Sequence, residues 1–467
     1  MRTLTINNTG KEKIFLLFVL LEFLAIICSF LLSYMVVLVL VLAGALFLLS
    51  FWDIRINLFL AVVFSILIQY GAKEKTYIEM SILTLILIFF LLVIYAKSCL
   101  EGLKIKRSKL DLPLILLISI SLLTAFRGIV IRGVGLYNVA LVGEELYAPL
   151  GFGIIFLVIN FCDSVTIIRK FFYILVLIAF YFAFMGLTAY FKVGHRIGGY
   201  LFGGFPGIIA LVLLNLSFYS QKRKSKFLYL MISIPLILHL ICSFTRGMWF
   251  GFLGGLVISY AFFVWQDESS RAKKIPAFIK GVFLIAIVSC IIFIGVSLFL
   301  PVENFSASVS KRFESSFRVQ PFSSGLLRLV EYKASLEKIK ESPFFGHGFG
   351  YILKYRPPWS SEIRSQWYIH QSYIYIVLKM GLFGLIAFSW LFYVFFKDSI
   401  RSCRKIQDRF FKGLTFGFIG NVFQALISGL TNYDFAVVSC TFYLAFAMGA
   451  VIVIGQKLSN HPEYIKN

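Results

Sequence analysis

Long apolar stretches of helical length alternate with short polar turns along the whole chain. A membrane helix needs roughly 17–25 residues, so the pattern predicts spans over 14–33, 35–51, 56–71, 79–97, 112–126, 146–161 and 171–191. The second half adds 198–219, 227–243, 248–265, 280–300, 370–397, 411–430 and 434–456. The runs are continuous rather than alternating with a period of two, which argues against a strand barrel. One polar break is long, Pro301 to Ile369, and it ends at His370 as the next span begins. The expected organisation is a membrane domain at 1–300 with eleven spans, an extracytoplasmic loop at 301–369, and 370–467 with three spans and a cytoplasmic tail. The fold class is therefore all-α and polytopic, with about 12–14 membrane helices, since 56–71 and 146–161 are short enough to tilt or re-enter.

The long loop has structure of its own. Leu327, Val330 and Ala334 recur at helical spacing while Glu331, Lys333, Glu337, Lys338 and Lys340 stay polar, which predicts an amphipathic helix from Ser323 to Glu341. Ser323 or Ser324 can cap it and Pro343 stops it. The glycines that follow, Gly346, Gly348 and Gly350, form a turn that lets backbone approach another surface or a ligand.

Composition agrees with this reading: 60% of the residues are hydrophobic, 18% are aromatic with 53 Phe, and mean hydropathy is +0.89. The formal charge of +23 would suggest nucleic acid, yet most of it sits beside helix ends on one side, as at Lys104, Lys106, Arg107, Lys109, Lys222, Arg223, Lys224, Arg401, Arg404 and Lys405. That asymmetry predicts a cytoplasmic N-terminus and C-terminus, with anionic membrane lipid as the partner and no nucleic acid. The seven cysteines fall in predicted spans or cytoplasmic turns without metal-ligand spacing. Arg2, Lys11 and Lys13 precede an apolar run like a signal peptide, but no small-residue cleavage site follows, so this stretch reads as the first membrane hairpin.

This topology brings Arg196, Arg246, Arg328 and His370 to the outer face. Alone, Arg246 would be a snorkelling arginine, Arg328 an i,i+3 partner of Glu331, and His370 an interfacial hydrogen-bonding residue. Together they suit an anion and a proton transfer, because guanidinium binds phosphate oxygens bidentately and imidazole can take a proton from a hydroxyl. Arg312, Arg318, Arg356 and Arg364 add loop cations that could guide an acidic ligand, although solvated surface explains most of them. Trp359, Trp367 and Tyr355 suit either sugar stacking or lipid anchoring.

Three stretches carry a resemblance: Ser243 to Gly251, Arg328 to Gly350, and His370-Gln-Ser-Tyr with Met380-Gly-Leu-Phe-Gly384. In that order, around one large outer loop and with three spans remaining, they resemble the O-antigen ligase and polymerase family of bacterial membrane glycosyltransferases. The likeness covers roughly residues 190–390. Tyr332 stands where the family has Trp, Gln371 where it often has Asn, and Lys379 where an acidic residue is usual.

The resemblance implies a GT-C-like helical membrane enzyme of the bacterial inner membrane, with its site on the periplasmic face. Its donor would be a polyprenyl diphosphate-linked glycan, and its acceptor either another glycan or a lipid A core. Arg246 and Arg328 would neutralise the diphosphate leaving group, and His370 would be the general base in an inverting transfer. The resemblance places donor contacts at Arg196. Tyr332, Gly346, Gly348, Arg318 and Arg364 complete the expected substrate-binding set. No cofactor or metal is expected, since the loop's glutamates do not cluster as cation ligands. A chain-length regulator is the candidate protein partner. Polymerase is favoured over ligase. A lipid-linked saccharide transporter is the rival from another class; for it the spans offer only Glu22, His239 and Lys379 as ionisable groups, with Glu22 and Lys379 a candidate buried pair.

Overall fold

A computed structural model describes residues 53–71, 105–131, 145–193, 200–243, 245–265 and 324–460, with the single residues 133 and 276. The spans expected at 14–33, 35–51, 79–97 and 280–300, the first part of the loop, Ser323, Glu22, Arg196 and Arg318 lie outside these residues. The chain divides into two compact units, Met1–Ala61 with Met80–Lys104, and Val62–Glu79 with Ile105–Asn467. In the first unit, the described part is Asp53–Ala61, the opening of helix α1 (Ile54–Gly71), where Arg55 pairs with Asp53 at 2.7 Å.

The second unit is a helical bundle. Its helices are α2 (Asp111–Phe126, continued by a π-turn at Arg127–Ile131), α3 (Tyr147–Gly151), α4 (Ile154–Phe161), α5 (Val165–Val193), α6 (Tyr200–Tyr219), α7 (Arg223–Cys242) and α8 (Arg246–Trp265). Then come the loop helix α9 (Ser324–Glu341), a hairpin of β1 (Leu353–Tyr355) and β2 (Arg364–Gln366), and α10 (Ser372–Cys403), α11 (Arg409–Ser428) and α12 (Val438–Asn460). Among the described residues, seven helices are long and apolar enough to cross a membrane: those containing Asp111–Val130, Val165–Tyr190, Arg223–Cys242, Arg246–Val264, Ser372–Cys403, Arg409–Ser428 and Val438–Leu458. The protein is a multi-pass, all-α membrane protein.

Two spans differ from expectation. The 146–161 stretch is broken at Phe152 and Gly153 into α3 and α4. The 370–397 stretch is longer and kinked: α10 runs to Cys403, and Gly381 interrupts it at φ 69°, ψ −170°. Hydropathy reports length and apolarity but not the local backbone, so neither break has a signature in it.

Helix starts follow local chemistry. Asp408 caps α11 by accepting from the Phe411 amide at 2.9 Å, and at the start of α2 the Asp111 carboxylate accepts from the Ser108 amide (2.8 Å) and hydroxyl (2.9 Å). At the same end Lys109 reaches Asp398, and the Lys106 amide donates to Asn160. The basic turns at Lys222–Lys224 and Arg401–Lys405 flank this end too, since Gly413 of α11 packs on Leu216 of α6.

A stripe of glycines on α8 faces α11. An added Cβ would lie 2.6 Å from the Gln424 carbonyl oxygen at Gly251 and 2.6 Å from that of Gly420 at Gly255. At Gly247 it would meet the Thr431 hydroxyl at 2.3 Å. Small residues let the two backbones close without relying on the hydrophobic effect, which lipid removes. The stripe ends at Arg246, so this packing also fixes where that arginine enters.

The α10 kink is filled by the loop. The freed carbonyls of Leu378 and Lys379 accept from the amides of His347 (2.7 Å) and Gly348 (2.9 Å). The amides of Leu382 and Phe383 donate to the Pro343 (2.8 Å) and Phe344 (3.3 Å) carbonyls. Gly346, at φ 66°, has no room for a side chain, because its Cβ would sit 2.4 Å from the Lys379 oxygen. Outside this seam Phe344 and Phe345 are exposed beside Phe383, an apolar rim suited to lipid.

Substituting Gly381 tests this docking. A Cβ there would come 2.1 Å from the Phe344 oxygen, on a backbone that L-residues rarely adopt. Gly381→Ala should cost about 2 kcal/mol or more, read as a fall of several degrees in the unfolding temperature of detergent-purified protein. An unchanged temperature would contradict the seam.

Candidate active site

His370 lies in a bend just ahead of α10, next to Gln371, which is extended and caps the helix by accepting from the Ile374 amide. Glu331 of α9 then takes hold of His370 twice. One carboxylate oxygen accepts from the His370 amide at 2.9 Å, and the other meets ring Nδ1 at 2.8 Å. The next residue on α9, Tyr332, donates its hydroxyl to the His370 carbonyl at 3.2 Å. Glu331 therefore serves His370 rather than the i,i+3 pair expected with Arg328. Burial decides which partner can meet a substrate: the Glu331 side chain keeps 1% of its surface and that of His370 keeps 23%.

Arg328, one turn earlier on α9, donates to the Thr431 carbonyl at 3.1 Å. That oxygen belongs to the turn Gly429–Asp434 between α11 and α12. The same turn meets α8, where Gly247 abuts Thr431 and Asn432, and α10, where the Ser372 amide bonds the Gly429 (2.9 Å) and Asn432 (3.0 Å) carbonyls. Arg246, Arg328 and His370, separated in sequence, thus gather around one turn.

Aromatic rings line it. Tyr368 lies 5.1 Å from the His370 ring and 4.4 Å from Tyr433, and Tyr433 lies 6.1 Å from His370, as centroid separations. Burial raises the hydroxyls of Tyr332, Tyr368 and Tyr433 above the ordinary range, so they stay protonated donors at neutral pH. Burial, reinforced by Glu331, pushes Tyr355 up to about 12; its hydroxyl bonds Gln366 at 3.0 Å. Arg364 is exposed on β2 and pairs in register with Tyr355, which places it at the rim. Below the turn a cavity lined by Phe205, Ile208, Met248, Ala425 and Leu444 reaches up to Asp434.

The other expected contacts are placed differently. Gly346 and Gly348 are buried and face protein backbone: an added Cβ at Gly348 would lie 2.9 Å from the Gly128 nitrogen. They form the turn that seats the loop. Tyr332 uses its hydroxyl on His370. Among the described residues no group of three or more His, Cys, Asp or Glu side chains comes together as metal ligands.

Lys379 finds its partner far away in sequence. Its ammonium bonds Glu145, just ahead of α3, and the Tyr351 carbonyl, while the second Glu145 oxygen accepts from the Gly350 amide. Burial lifts the Glu145 carboxyl above its usual range, and the Lys379 charge and the Gly350 bond pull it back. Arg127 adds a second tie, donating to the Ser342 hydroxyl at 3.1 Å.

Three structural features escaped the sequence reading: Glu331 as the histidine's partner, Glu145 as that of Lys379, and the Gly429–Asp434 turn. Glu331 had a signal, since three of its neighbours on α9 are apolar, a sign of a face that packs.

The fold and site define a helical membrane protein that concentrates cations and a histidine beneath a docked loop. Residues 231–389 match the family model described as O-antigen ligase, so this part of the chain is an O-antigen ligase family domain. The match contains Arg246, Arg328 and His370. No curated protein matches the chain by sequence.

Lys379→Met should destabilise by about 3–5 kcal/mol, because it leaves a buried carboxylate unpaired. Lys379→Met with Glu145→Gln should recover most of that, since the amide oxygen can still accept from Gly350. Thermal unfolding of both single variants and the double variant checks this; a double-variant loss equal to the sum of the two single losses would mean the two residues act independently.

Proposed function

We propose that the protein transfers a glycan from a polyprenyl diphosphate carrier to an acceptor sugar hydroxyl, and that it does so as a polymerase of repeat units. The observation that carries this reading is the convergence of Arg246, Arg328 and His370 on the Gly429–Asp434 turn. His370 takes the proton of the acceptor hydroxyl as its oxygen bonds to the anomeric carbon. The bond from that carbon to the diphosphate breaks with the electron pair leaving on phosphate oxygen. Arg246, at the positive N-terminal end of α8, and Arg328 stabilise the charge that develops. Attack opposite the leaving group inverts the anomeric carbon.

The cavity below the turn offers apolar surface of the kind a polyprenyl chain needs, and the tyrosines offer rings for sugar faces. Arg364 at the rim, with Arg318 and Arg196, supplies further positive charge for donor contacts. The description of the matching family favours a second reading in which the acceptor is a lipid A core.

Purified protein given only polyprenyl diphosphate-linked repeat units should produce a ladder of lengthened glycans on a gel. Transfer seen only after lipid A core is added would establish the ligase reading, and silence in both would overturn transfer. Arg246→Ala, Arg328→Ala and His370→Ala should each lower turnover by about 100-fold or more while the protein remains folded. Retained activity in all three would remove the site.

The site's side of the membrane is read from the basic turns at the opposite end of the bundle. A cysteine at Ser361 should react with an impermeant thiol reagent from outside the cell, and one at Ser225 should not. Reversed labelling would invert the orientation.

A further inference from the structure

The contacts of His370 are unusually complete on one side. Its amide and Nδ1 both face the Glu331 carboxylate, and its carbonyl faces Tyr332, so two consecutive residues of α9 hold every polar group of His370 except Nε2. The carboxylate is sealed from solvent while the imidazole is not. Building on the transfer reaction proposed above, we infer that Glu331 is a positioning residue that fixes the His370 tautomer, keeping the proton on Nδ1 and the lone pair on Nε2 for the acceptor hydroxyl.

An ionised carboxylate only accepts hydrogen bonds. Both groups it meets on His370 must therefore donate, which leaves Nδ1 protonated and Nε2 bare. When Nε2 receives the acceptor's proton, the imidazolium forms beside a buried negative charge with both ring nitrogens as donors. No reorganisation is needed at that moment, the condition under which fixed charges help most. Glu331 also lies three residues from Arg328 on one helix, so the same element sets the base and a cation at the leaving group. The arrangement follows the logic of a carboxylate, a histidine and a nucleophile in hydroxyl activation, with the sugar hydroxyl as nucleophile.

Glu331→Gln separates this role from packing. Glutamine has the same shape but one accepting oxygen. With that oxygen on the His370 amide, its NH₂ faces Nδ1 and drives the proton to Nε2. Turnover should fall by about 10²–10⁴-fold while the donor KM changes by less than about twofold. Nitrogen-15 spectra of histidine-labelled full-length protein, with the His370 signals assigned by their loss in His370→Ala, should show the protonated ring nitrogen switching from Nδ1 to Nε2. Glu331→Asp, which keeps two accepting oxygens, should retain the wild-type tautomer and more of the activity than Glu331→Gln.

Glu331→Gln with near wild-type turnover, or with lost turnover and an unchanged tautomer, would overturn the inference. His370→Ala separates the two levels of failure. If it remains active, the proposed base is wrong. If it is inactive while Glu331→Gln works, only the role of Glu331 falls.

Discussion

Four backbone groups at a helix break cannot be left bare inside an apolar bundle. Each would cost about 1–3 kcal/mol unpaired, and in lipid no water replaces the lost partner. The break at Gly381 is therefore possible only because residues 343–348 bring two amides and two carbonyls to it. Much else in the outer structure follows from that seam. The segment begins just beyond α9 and leads through the hairpin to His370, so both ends of the loop's functional part are tied to α10. With α9 tethered at its C-terminal end, its face bearing Arg328, Glu331 and Tyr332 is held over the Gly429–Asp434 turn. The glycine stripe of α8 performs the matching task from the other side by bringing Arg246 to that turn.

The buried Lys379–Glu145 pair lies under the same seam. Removing two charges from water costs several kcal/mol per ion, and the geometry must repay it. Here the repayment is shared: the ammonium also bonds a loop carbonyl and the carboxylate also accepts a loop amide. The pair is better understood as a register device than as a source of net stability, because it fits only when residues 350–351 lie in one place. It also gives a physical account of why a lysine works at a position where the family resemblance leads one to expect an acid. Glu145 supplies the opposite charge, so the lysine is balanced where it is buried.

Much of this was legible in the sequence, for identifiable reasons. Helix α9 announced itself through spacing and a proline stop, and the described spans were visible because lipid demands length and apolarity. Arg246, Arg328 and His370 were legible because charge at a span boundary is costly and topology places all three on one side. The partners were harder to see. Glu331 had a local candidate in Arg328, three residues away, and only tertiary packing shows that it pairs with a residue 39 positions on. Lys379 and Glu145 are 234 positions apart, beyond any local rule. Gly346 and Gly348 read as a turn that could also meet a ligand, because an approaching backbone and an approaching phosphate ask the same thing of glycine. The Gly429–Asp434 turn carried no motif. Its importance comes from carbonyl groups, which every residue has.

That last point bears on how the site is assembled. The Thr431 carbonyl takes the Arg328 guanidinium, and a carbonyl oxygen is neutral, so it orients the arginine without cancelling its charge. A carboxylate in the same place would have held the side chain more tightly but would also have competed with a diphosphate for it. Glu331, three residues along the same helix, is instead directed at histidine and buried. Sequestering the negative charge behind the imidazole leaves the positive charge of Arg328 available, and in the proposed transfer one helix would serve both ends of a displacement whose two halves need opposite electrostatics.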